Sequence, residues 1–178
     1  MEQSIEKHIA RRTYYSIPLF LVTSMVAYRY NYQRLTALLW FQTYTSFIFW
    51  NSPKKGLYME KMTDMFTSAI TIITTITIES YFFTDFCRYF FWIITAISIS
   101  GFLLNDHWFH FHINMLDEMS RKNTVKYVSF IDEKTIKLDI TILKEKVQEK
   151  RVYIHMFLLH ILPNIVCIYC IVNSPVHL

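Results

Sequence analysis

Glycine is almost absent from this chain, with two in 178 residues, and proline adds only four. So little of either leaves few tight turns and points to long uninterrupted elements. Charge is scarce too, at 18% of residues against about 25% in an average soluble domain. Three cysteines, Cys87, Cys167 and Cys170, are too few for a disulfide framework. Cys167-Ile-Tyr-Cys170 has redox-motif spacing but lies inside an apolar run without a strand-to-helix turn, so these thiols read as small apolar residues. The net charge of +4 is modest, and its cations are spread among acids, which argues against a nucleic-acid partner.

What the chain has is oil: 53% of its residues are apolar and 17% are Phe, Trp or Tyr. Apolar runs fall near 13–28, 35–51, 62–83, 89–105 and 153–172. A membrane-spanning helix needs about 17–25 mostly apolar residues, a length the third and fifth runs meet cleanly. Tyr28-Arg29-Tyr30 and Trp108-Phe109 flank them with the composition of the headgroup zone. Lys and Arg sort by side. The N-terminal tail holds Lys7, Arg11 and Arg12, the second connection Lys54, Lys55 and Lys61, and the fourth, from about 106 to 152, holds nine. The first connection has Arg29 and Arg34, the third Arg88, and the C-terminal tail none. The positive-inside rule accounts for this asymmetry, and a soluble helical core does not. The expectation is one integral membrane domain over 1–178 with the N-terminus in the cytosol and the C-terminus outside. The first span reads as an anchor, because it lacks a small-residue cleavage pattern.

The third run, SAITIITTITIES, is β-branched, but Thr67, Thr71 and Thr74 recur at helical spacing and a membrane barrel needs many more segments. It reads as a helix with a hydroxyl stripe. The long connection is patterned differently. In TIKLDITIL, Ile136, Leu138, Ile140 and Ile142 alternate with polar residues, and VKYVSF alternates before it, which predicts a β-hairpin with one apolar face. LKEKVQEKRVY then returns to helix spacing and leads into the last span. The fold class expected is therefore all-α, a polytopic membrane helical bundle of about five transmembrane helices with a small cytosolic β-hairpin-like insertion. The basic segment 113–152 is the expected contact for a protein partner or anionic lipid.

This topology gathers polar residues from distant positions at one leaflet. Asp64 opens the third span, while Ser46 and Trp50 end the second. His107, His110 and His112 mark the exit of the fourth span, and His155 and His160 the start of the fifth. Ionisable groups at membrane depth are costly and point to function. Imidazole with carboxylate is a zinc ligand set, and an open coordination position would activate water. On that reading His110, His155 and His160 are metal candidates, and Asp64 and Ser46 catalytic ones. Five residues apart on a helix is about 140° of rotation, which sets His155 and His160 on different faces. The plainer readings are an interfacial belt for the histidines, a helix cap for Asp64 and an interhelical hydrogen bond for Ser46. Glu79, Asp85 and Arg88 read as a solvated outer loop.

The run TSFIFWNSPKKGLYMEKMTD, with Thr45, Ser46, Trp50, Pro53, Gly56 and Asp64, resembles a pattern in small multi-pass membrane proteins of large DNA viruses and protists. More distantly, the layout is similar to the alkaline ceramidase and adiponectin-receptor-like superfamily. That resemblance implies zinc-dependent hydrolysis of a lipid amide on a seven-helix scaffold. Ser46 and Asp64 match its motif and His155 and His160 match it loosely. Trp50 stands where the superfamily has its first zinc-binding His, and two helices are missing. The leading functional expectation is a non-enzymatic membrane protein with a structural, assembly or partner-binding role, including assembly with its own copies, and no cofactor. The alternatives are a zinc-dependent intramembrane lipid amide hydrolase and a small channel or carrier.

Overall fold

The computed structural model describes residues 16–51, 58–121 and 133–174. Among these residues every regular element is helical and no strand occurs. The order is α1 (Ile17–Arg29), α2 (Gln33–Asn51), α3 (Tyr58–Thr77), a 3-10 turn (Glu79–Phe82), α4 (Asp85–Arg121), α5 (Glu133–His155), a π-helical turn (Met156–Ile161) and α6 (Leu162–Val172). The shortage of Gly and Pro shows most plainly in α4, whose 37 residues extend about 55 Å at 1.5 Å each.

Where the chain does turn, the local chemistry explains it. Beyond α1, Asn31 takes φ 66°, the left-handed region that Asn tolerates better than most residues. The Tyr32 N–H then reaches back to the Ala27 carbonyl at 2.9 Å and the Asn31 N–H to Tyr28, which together close a Schellman motif. The π-helical turn stands just ahead of Pro163, which has no N–H to offer the Leu159 carbonyl and would crowd it in a regular helix.

The helices pack in an open series. α3 lies on α2, α2 on α1, α1 on α6, α6 on α4, and α5 runs along α4, whereas α3 and α4 make few close contacts with each other. At one end the short connections and the chain's last described residues are tied together. Tyr32 Oη donates to the Ser174 carbonyl at 2.5 Å, and the Thr84 N–H donates to Ser174 Oγ at 2.8 Å. Phe20, Leu35, Leu39, Phe83, Phe91 and Val166 form the core behind this loop end. At the other end α4 and α5 run on as an antiparallel hairpin.

Inside and outside are inverted along much of the bundle. On α4, Ile97 is 54% exposed while its neighbour Ser98 is 1% exposed. Ile70, Ile73, Ile93, Leu103 and Leu104 also face outward, and Thr23, Ser24, Thr67, Thr71, Thr75 and Thr95 are buried. The hydroxyl stripe of α3 is therefore Thr67, Thr71 and Thr75, with Thr74 turned partly out. Two stretches, Asp85–Ser120 and Ile140–Val172, are long and apolar enough to cross a membrane.

The expected β-hairpin is corrected. TIKLDITIL lies inside α5, and VKYVSF falls outside the described residues. The alternation hid a seven-residue repeat. Ile140, Val147 and Ile154 on α5 and Phe102, Phe109 and Leu116 on α4 recur at the spacing that seats one helix along another. Two strands are barely stable alone, whereas this apolar seam buries Phe109 and Leu116. α5 then continues through the π-helical turn into α6, as the helix spacing of LKEKVQEKRVY implies.

Candidate functional site

The π-helical turn brings together two histidines that a regular helix would hold apart. With one extra residue in the turn, His155 and His160 come to the same side, and their ring centroids are 5.3 Å apart. Ser16, in the N-cap position of α1, makes no capping bond with its side chain; its Oγ meets His160 Nδ1 at 2.7 Å instead. The Asn164 amide donates to the His160 carbonyl at 2.7 Å, and Thr23 Oγ1 donates to Asn164 Oδ1 at 2.7 Å. Gly101 gives the turn room, since a Cβ there would meet Leu158 Cδ1 at 2.9 Å. His155 packs edge-on to Phe102, one turn beyond Arg151, which pairs with Asp106. His110 Nε2 lies 3.4 Å from Asp106 on the same face of α4.

The other sequence candidates sit elsewhere. Ser46 is buried between α2 and α3, where it accepts from Gln42 Nε2 at 2.9 Å, and the same Gln42 nitrogen lies 2.7 Å from Ser68 Oγ. α3 starts at Tyr58, so Asp64 is the seventh residue of the helix and not its cap; its side chain, like that of Trp50, lies outside the described part. His107 is exposed, and His112 Nδ1 meets the Trp108 carbonyl at 2.8 Å. Among the described residues no three His, Cys, Asp or Glu side chains converge as a metal-binding group. The three thiols are buried and free, and Cys170 donates to the Cys87 carbonyl at 3.3 Å.

A cavity of about 70 Å³ lies beside Asn164, between α3 and α4. Its walls are apolar, with Phe20, Leu39, Phe91 and Ile99 among them, except for Thr71, Thr75, Thr95, Ser98 and Asn164. The α3 hydroxyls spend their protons on their own helix: Thr71 Oγ1 donates to the Thr67 carbonyl at 2.9 Å and Thr75 Oγ1 to Thr71 at 2.7 Å. The hydroxyls of Thr95 and Ser98, on the opposite wall, are buried without a hydrogen-bond partner.

Glu79 departs most from its sequence reading. The expected solvated loop holds for Asp85, which is exposed, but Glu79 is 2% exposed. It lies past the end of α3, four residues beyond Thr75, within electrostatic reach of Cys167 on the cavity wall. Arg34 Nε approaches Glu79 Oε1 at 3.2 Å, yet that oxygen accepts no well-aligned hydrogen bond. Burial pushes the Glu79 carboxyl above its ordinary range, and the Arg34 guanidinium pulls it part of the way back. The i, i+4, i+8 run Thr71, Thr75, Glu79 was the signal available in the sequence.

The chain matches no protein-family model, no curated protein and no solved structure. Its class therefore rests on the architecture alone, which among the described residues is an all-helical bundle with two helices long and apolar enough to cross a membrane.

Proposed function

We propose that the chain is a multi-pass integral membrane protein with five spans, N-terminus in the cytosol and C-terminus outside, and a non-enzymatic assembly or partner-binding role. The observation that carries this reading is a reversal along α4. From Phe86 to Leu104 its outward residues are apolar apart from Ser100, and beyond Asn105 the outward residues include His107, His110, Asn114 and Glu118. A helix of about 55 Å exceeds the roughly 30 Å hydrocarbon core, so about its last two-fifths stands beyond it. There it forms a projecting hairpin with α5. Phe111, Met115 and Met119 make an exposed apolar stripe on that hairpin, beside the basic residues of α5, and this is the surface offered to a protein or an anionic leaflet. Reporters fused to the two termini test the odd number of spans. Opposite sides are expected, and the same side would contradict it.

The second reading, a zinc-dependent lipid amide hydrolase, draws its support from the adjacency of His155 and His160. They offer two nitrogen ligands where catalytic zinc takes three protein ligands. Neither His110, placed at Asp106, nor Ser46, placed between α2 and α3, stands with them in the contacts described. Near-stoichiometric zinc in the purified protein, lost in His160→Ala, would move this reading to first place.

A further inference from the structure

The unpartnered hydroxyls of Thr95 and Ser98 carry a second consequence. Away from water, a hydroxyl without a partner is costly, and here two of them face one cavity. The cavity volume of about 70 Å³ is well above the roughly 15 Å³ that admits a single water. Its walls suit water on both sides. Thr95 and Ser98 have protons to donate, and Thr71 and Thr75, whose protons are already used, have oxygen lone pairs to accept.

Two buried titratable groups lie just beyond the cavity lining, His160 next to Leu159 at one end and Glu79 four residues past Thr75 at the other. Toward the hairpin end, Asn164 lines the cavity and holds the His160 carbonyl, with the ring of His160 touching Ser16, Phe20 and His155. Behind His155 come Arg151, Asp106 and His110, which reach the polar half of α4. Toward the loop end, Glu79 comes four residues after the lining residue Thr75, faced by Arg34 and within electrostatic reach of Cys167 on the cavity wall. Buried His and Glu residues joined by hydroxyls and water are the parts from which membrane proton relays are built.

We propose that the cavity between α3 and α4 holds water and links His160 to Glu79 as a path for protons through the bundle. Only N–H and O–H bonds change. His160 takes a proton at one ring nitrogen and releases one from the other, the water cluster passes it along, and Glu79 accepts it and gives it up at the loop end. The transported species is a proton rather than a metal cation, because the cavity is small and its lining side chains carry no charge. The proposal rests on the membrane reading above.

The full chain, reconstituted in phospholipid vesicles, tests both separately. Flotation with the vesicles after an alkaline wash reports membrane insertion. A trapped pH dye, under a potassium diffusion potential set by valinomycin, reports proton flux. Insertion with flux above that of protein-free vesicles is expected. Glu79→Gln, and a double Thr95→Val, Ser98→Ala variant, should float equally well and return the flux to the protein-free level. Insertion without flux overturns the proton path and leaves the membrane reading standing, and failure to float overturns both. Flux retained in the two variants, or potassium leak in vesicles without ionophore, also overturns it.

Discussion

The two parts of α4 form one unbroken helix built on opposite principles. Before Asn105, the residues turned inward are Cys87, Phe91, Thr95 and Ser98, and those turned outward are Phe86, Tyr89, Ile93 and Ile97. After Asp106, Phe109 and Leu116 are turned inward against α5, and His107, His110, Asn114 and Glu118 are turned outward beside the apolar stripe of Phe111, Met115 and Met119. On the membrane reading proposed above, the backbone stays the same and the surroundings change from lipid to water. Lipid favours apolar atoms outside and supplies no partner for polar ones, which must find each other within the bundle. Water permits the reverse, and the hairpin is held by an apolar seam with charge at its margins. Lys144 Nζ meets Asp117 Oδ1 at 2.5 Å, Arg151 pairs with Asp106 and lies 4.1 Å from the Phe109 ring centroid, and Lys150 lies 4.6 Å from that of Trp108.

The comparison breaks hardest in the bundle interior. Asn164→Leu removes the side-chain donor to the His160 carbonyl and one of two acceptors for Thr23 Oγ1, which keeps the Leu19 carbonyl at 2.8 Å; the two lost bonds together cost on the order of 1–3 kcal/mol. A clear fall in the midpoint of thermal unfolding in detergent is expected. An unchanged midpoint would mean that water reaches these groups. In the hairpin the effect is smaller. Arg151→Ala loses an ion pair that is about one-third exposed and one cation–π contact, together about 1–2 kcal/mol, and Arg151→Lys restores only part of it. Added salt should shrink the Arg151→Ala effect and leave that of Asn164→Leu unchanged, because exposed charge pairs are screened.

The smallest effect, at Glu79, differs in sign. Folding raises its carboxyl by burial, with Arg34 opposing. Its contribution to stability is therefore present below the ordinary carboxylate range and is lost as pH rises through the raised value. Glu79→Gln should flatten that pH dependence and raise the unfolding midpoint slightly at neutral pH. A lowered midpoint would show instead that the ion pair with Arg34 outweighs burial.

How legible all this was in the sequence depends on which period dominates. Apolar runs gave helices wherever one solvent applies along the whole element, and the scarcity of Gly and Pro gave their length. TIKLDITIL misled because its alternate residues are apolar, while the seam uses only every seventh one, Ile140, Val147 and Ile154, which becomes visible once Phe102, Phe109 and Leu116 are set against them. A regular helix would hold His155 and His160 about 140° apart, and the π-helical turn removes that separation. Pro163, three residues after His160, was the available sign that the helix would not be regular there. Glu79 reads as a loop residue from its position between two runs, and only its i, i+4, i+8 spacing with Thr71 and Thr75 points inward. Ser16 was hidden for another reason: its partner His160 is 144 residues away, and only the closing of α6 onto α1 brings them together.

The change of surroundings along α4 is the claim on which the rest depends, and spin labels report it directly. Single labels at Ile93, Ile97, His107 and Glu118, in vesicles, would be compared for relaxation by oxygen, which concentrates in lipid, and by a water-soluble nickel chelate. The account predicts oxygen dominance at Ile93 and Ile97 and nickel dominance at His107 and Glu118, with the crossover near Asn105. Nickel dominance at all four would place the whole helix in water and contradict it.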